Sequence, residues 1–170
     1  MIGIMFASIL TITSMNTMAE AEEFCEVLEP HQVVEVDGNG GNLFAFMKAG
    51  DCINEKEANL VIWKALSAAG YMASSAKQAC IFEGSVIGYH SPYRVIGEVK
   101  MDMTVPEYRN LLMYIGSKLQ SWGIDPVTTM RIIYTTLDTP SESLFLLEGK
   151  DTSRVLQNVF MCEDALVEGE

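Results

Sequence analysis

The sequence predicts an α+β protein: a two-layer sandwich in which an antiparallel sheet carries its helices on one face. Three observations point there. From Leu43 onward, strand-like and helix-like segments alternate. Tyr93 to Met103 alternates apolar and polar residues, as a strand with one wet face does. Thr104 then opens a segment marked as an amphipathic helix by its cap, its proline and its apolar spacing.

The elements read in order as follows. His31 to Val36 is a short strand, and Asp37-Gly-Asn-Gly-Gly-Asn42 is a turn, built from residues that accept positive φ. Leu43 to Lys48 reads as a strand. Asn54 opens a helix, with Ala58, Ile62, Ala65, Leu66 and Ala69 as its apolar stripe. Ala79 to His90 and Tyr93 to Met103 are two strands of a hairpin joined through His90-Ser91-Pro92. Thr104 to Trp122 is a helix stopped by Gly123. Thr128 to Leu137, rich in β-branched residues, reads as a strand. Ser141 to Leu147 is ambiguous, and Thr152 to Leu166 reads as a last helix. This is the ferredoxin-like βαββαβ order plus a C-terminal helix. The runner-up is another α+β layer fold that uses strands at 31–36 and 143–147.

Residues 1–21 read as an export signal of bacterial type. Ile2 to Thr13 is uncharged, and Ala19-Glu20-Ala21 is an Ala-x-Ala cleavage pattern, although no Lys or Arg precedes the apolar run. That run is roughly 12 residues, short of the about 20 that span a bilayer. The domain expected is therefore 22–170, with an acidic lead-in at 22–30, no stable membrane span after processing, and a periplasmic or secreted location.

In an exported chain, four cysteines imply disulfides. In the predicted topology, the helix between Cys52 and Cys80 holds them roughly 25 Å apart, too far to bond. Cys25 precedes the rising segments and falls near Cys80, and the last helix carries Cys162 back toward Cys52, so Cys25–Cys80 and Cys52–Cys162 are the expected pairs. The cysteine spacings fit no zinc site, and no cofactor is implied.

The net charge is −12. Such a chain repels phosphate backbones and anionic lipid, so neither nucleic acid nor a membrane surface is expected as partner. A protein partner, basic in charge, is allowed. The most chemically mixed stretch is Tyr89-His90-Ser91-Pro92-Tyr93-Arg94. There Tyr89, His90, Tyr93 and Arg94 are the candidate binding residues, since aromatics and arginine anchor interfaces.

No catalytic motif is evident: no Gly-x-Ser-x-Gly, no phosphate loop and no complete calcium loop. The expectation is an exported acidic protein-binding module without catalytic activity, such as an inhibitor, an immunity-type neutraliser or an accessory subunit. The alternative is a small hydrolase assembled from dispersed residues, with His31, His90, Arg94, Glu98 and Asp102 as its parts. A small-ligand or metal carrier is a third reading.

Overall fold

The computed structural model describes residues 9–163. Most of the apolar run Ile2–Thr13 and the end of the helix expected at 152–166 lie outside them. The fold is mixed α and β, but its sheet is mostly parallel, which corrects the antiparallel ferredoxin-like expectation. Strands β1 (Leu10–Ile12), β2 (Val33–Gly38), β3 (Asn59–Leu66) and β4 (Ala79–Tyr89) lie side by side, all parallel. β7 (Phe145–Glu148) pairs antiparallel with the end of β4, and β8 (Val159–Met161) pairs parallel with its beginning. Parallel neighbours need crossovers. These are α1 (Met18–Val27), α2 (Leu43–Glu55) and α3 (Ala68–Met72).

Three segments took the other secondary structure, each for a physical reason. Leu43–Glu55 is helix because Asn42 caps it: its side-chain oxygen accepts from the Phe44 and Ala45 amides at 2.9 and 3.2 Å. Pro126–Asp138 is a helix, α5, because Asp125 caps it in the same way and Pro126 preorganises its first turn. There the caps outweigh the β-branched composition. Asn59–Leu66 is strand because it lies between β2 and β4 in the parallel sheet, with Leu60, Ile62 and Ala65 buried and Trp63 exposed. Its register shifts between Ile62 and Lys64, so Leu60, Ile62 and Ala65 all point inward. That bulge breaks the period of two and imitates helical spacing.

The segment 93–103 is a two-stranded hairpin rather than one strand. β5 (Arg94–Ile96) pairs with β6 (Val99–Met101), and Gly97 at φ 62 makes the turn. Val95, Ile96 and Val99 are exposed, not core. The helix α4 (Val105–Ser121) forms as expected, with the Thr104–Glu107 capping box and with Gly123 at φ 94 beyond its end. The segment expected as a last helix is divided between α6 (Gly149–Val155) and β8.

The disulfides are Cys25–Cys52 and Cys80–Cys162, with Cα separations of 5.6 and 4.9 Å. Both expected pairs are therefore corrected. Cys25 and Cys52 sit on α1 and α2, which pack together. Cys80 lies opposite Phe160 in the β4–β8 ladder, two residues from Cys162. The loops closed span 27 and 82 residues. In the chain-entropy picture these constraints are worth about 3.5 and 4.5 kcal/mol. Replacing both Cys80 and Cys162 by serine should therefore lower the urea midpoint more than replacing Cys25 and Cys52. The reverse order would show that the smaller loop carries more of the stability.

The expected cleavage point after Ala21 lies inside α1, where Ala21 is wholly buried. On its near side, β1 extends the sheet, and Ile12 and Met15 belong to the core. Thr17 and Glu20 form a reciprocal capping box that starts α1.

Candidate active site

Three connections leave the sheet at the same edge, the C-terminal ends of β2, β3 and β4. They are residues 39–42, Ser67 and His90. In parallel sheets this edge is where ligands bind. Here they border a cavity of about 790 Å³. Its polar lining includes Asn16, Asn39, Asn42, Ser67, His90 and Arg94, and its apolar wall includes Phe44, Tyr71, Ile96 and Met103.

Ser67 is held in a conformation that L-residues avoid, φ 57 and ψ −124. It is the whole connection between β3 and α3. Its amide donates to the Gly88 carbonyl at 2.8 Å, which fixes where β3 ends. Its carbonyl accepts from the Gly70 amide at 3.0 Å, which starts the next turn. Small residues make so sharp a turn possible. A Cβ on Gly70 would stand 2.7 Å from the Gly88 carbonyl oxygen. A Cβ on Gly40 would stand 2.7 Å from the Ser67 Cβ. Strain of this kind costs about 1–3 kcal/mol and gathers at functional positions. A strained serine on a tight strand-to-helix turn is one way to expose a nucleophilic hydroxyl.

His90 follows β4 directly, one strand over. Its Nδ1 lies 2.8 Å from the Ser91 carbonyl oxygen. A carbonyl only accepts, so Nδ1 carries the proton in this contact and Nε2 keeps its lone pair. That is the tautomer a general base needs. The ring stacks on Tyr93, with centroids 5.8 Å apart. Ser91 is in turn tied to α5: its amide donates to the Thr139 carbonyl at 2.8 Å and its hydroxyl to the Thr136 carbonyl at 2.9 Å. Beneath, Tyr71 and Tyr89 pack ring to ring, and burial drives both phenols well above their ordinary range. The Tyr71 hydroxyl meets Thr136 Oγ1 at 2.9 Å. The imidazole is thus carried on a rigid support.

Gly41 and Ala68 also line the cavity. First-turn amides of a helix lack intrahelical acceptors, and Ala68 is the first residue of α3. A pair of backbone amides beside a nucleophile is the material of an oxyanion hole.

Of the residues singled out from sequence, His90, Tyr93 and Arg94 meet at this cavity, while Tyr89 is buried beneath it. The dispersed hydrolase set separates. His90 and Arg94 are here, but His31 is exposed beside Glu57, Glu98 lies at the hairpin turn, and Asp102 is not in the lining. Ser67 was missed because its segment reads as helix. The available signal was the small-residue run Ser67-Ala-Ala-Gly70 directly behind an apolar stretch. The turn at 37–42 was legible, but not its place beside a serine.

No family model matches this chain, and no curated protein does. Solved structures do share its fold. One is the 1510-N membrane-bound stomatin-specific protease, in a form with a serine replaced by alanine. It has a TM-score of 0.68 and 17% identity, over 94% of this chain and 82% of that one. Another is the same protease with a lysine replaced by alanine, in complex with a substrate peptide. It has a TM-score of 0.67 and 17% identity, over 94% of this chain and 77% of that one. These neighbours overturn the expectation of a module without catalytic activity: the architecture is one that a protease uses.

Proposed function

We propose that this chain is a serine hydrolase acting on acyl compounds, with a peptide as the favoured substrate. The observation that carries the reading is Ser67, strained and presented to a cavity that His90 also lines. Ser67 Oγ attacks the carbonyl carbon as His90 Nε2 takes its proton. The amides of Gly41 and Ala68 receive the charge that develops on the carbonyl oxygen. His90 then returns the proton to the leaving group, and a water activated in the same way releases the acyl group from Ser67. Where a dedicated carboxylate would orient the imidazole, the Ser91 carbonyl does so. The named neighbours support a peptide substrate, since one is a protease holding a substrate peptide. No lysine is in the lining, so the lysine replaced in that neighbour has no counterpart among the residues described around this cavity. Two disulfides fit an oxidising compartment, periplasmic or extracellular. No helix among the described residues is long and apolar enough to cross a membrane.

A fluorophosphonate tests this directly. It should label one residue, Ser67, located by mass spectrometry of the digested protein. His90→Ala should slow labelling by about 10²–10⁴-fold, the usual worth of a general base. Labelling at another serine, or none, overturns the reading.

A further inference from the structure

The chain is strongly acidic, with 23 Asp and Glu against 11 Lys and Arg. The cavity is not. Its seventeen lining residues include Arg94 and His90 and no carboxylate, where the chain's overall frequency would place about two. Outside the lining, Lys100 Nζ stands 4.5 Å from the centroid of the Tyr93 ring. The lining itself is thus free of carboxylates in an otherwise anionic molecule.

Arg94 is held in a particular way. Its Nη1 donates to Glu107 Oε1 at 2.9 Å. Glu107 is itself fixed, since its other oxygen accepts from the Thr104 amide and hydroxyl at 2.9 and 2.6 Å. These bonds hold its carboxyl below the ordinary carboxylate range, so it stays charged and keeps the guanidinium in place. The opposite edge of the guanidinium is unused. Its Nε–H is buried and has no acceptor among the described residues. A buried donor without a partner is costly, and the Nε–Nη2 edge matches a carboxylate's two oxygens.

We infer that Arg94 is a specificity residue that receives a carboxylate of the substrate, resting on the hydrolase reading of Ser67. The ligand class is a peptide with a carboxylate near its scissile bond, from an acidic side chain or from the chain terminus. The apolar wall beside Arg94, formed by Val95, Ile96, Met103 and Leu111, takes the neighbouring aliphatic part of the chain. A lining without carboxylates spares such a substrate the repulsion that the rest of the acidic chain exerts.

The test is competition against fluorophosphonate labelling of Ser67 in the intact, oxidised chain. Four pools of acetylated, otherwise apolar hexapeptides serve as competitors: with an internal Glu or Gln, and with a free or amidated C-terminus. A carboxylate-bearing pool should protect Ser67 at least tenfold more potently than its neutral counterpart. The pool that does so identifies the source of the carboxylate. In Arg94→Gln the ratio should fall below about threefold. Arg94→Lys, which keeps the charge but loses the two-pronged edge, should lie between. Equal potency of all pools in the unaltered protein overturns the inference, as does a ratio that Arg94→Gln leaves unchanged. Failure of Ser67 to label at all is a separate result, and it removes the hydrolase reading itself.

Discussion

Exchanging Ser67 for glycine is expected to abolish hydrolysis and make the protein more stable at the same time. The loss of activity should be on the order of 10³-fold or more, because a nucleophile has no substitute within its own catalytic unit. The gain in stability comes from the backbone. At φ 57 and ψ −124 a side chain is opposed to its own peptide groups, and glycine is not. Relief of about 1–3 kcal/mol of strain exceeds the 0.5–1 kcal/mol by which glycine's freedom favours the unfolded chain. A net gain of about 1 kcal/mol should raise the midpoint of thermal unfolding by a few degrees. Ser67→Ala separates the two effects: it should be equally inactive yet no more stable, since it keeps the Cβ. Were the glycine variant less stable than the alanine variant, the turn would not be strained, and the structural argument for a presented nucleophile would fail.

Removing residues 1–21 is expected to cost most of the fold's stability. The cut takes away β1, the edge strand on β2, together with the start of α1 and its capping box. Ile12 and Met15 are 4% and 3% exposed. Full burial of each is worth roughly 1.5–3 kcal/mol, so their loss alone removes about 3–6 kcal/mol from a total of about 5–15 kcal/mol. The damage should reach the candidate site. The Met15 carbonyl accepts the Asn42 amide at 2.8 Å, and Met15 bridges to Gly41. These contacts set the glycine turn against Ser67. A truncated chain should therefore show both a lowered urea midpoint and slower fluorophosphonate labelling. Intact mass of the protein recovered from its producing cell gives a second check. A mature N-terminus at Glu22 on a folded, active protein would show that the β1 contacts are dispensable.

Local signals in the sequence were readable where they act through the backbone nearby. The Thr104 capping box, the Gly123 stop and the glycine turn after Asp37 each work within a few residues, and each is present. The turn expected at 37–42 shows the limit: Asp37 and Gly38 still belong to β2, the connection is 39–42, and Asn42 at its end caps α2, so the segment behind it is helix and not the expected strand. For Thr128 to Leu137 the β-branched composition predicts a strand, but the Asp125 cap and the prolyl first turn make it helix. The pairing of β3 with β2 and β4 and its bulge depend on neighbours far along the chain, and nothing in a window of its own residues distinguishes it from a helix.

The candidate site follows the same division. His90 and Arg94 were noticed because chemically mixed residues in a connection stand out in a sequence. Ser67 was not, because a serine among alanines carries no signal until β3 is known to end there. By itself the sequence determined the capped helix α4, the long strand β4, the glycine turn, the acidic charge and the presence of enough cysteines for two bridges. Only the tertiary structure decided that the strands run parallel, which cysteines meet, and that Ser67, His90 and the glycine turn share one edge. The reason is physical. Caps and turns are settled by bonds between near neighbours, whereas parallel pairing joins residues nineteen or more apart and brings the ends of three strands to one place.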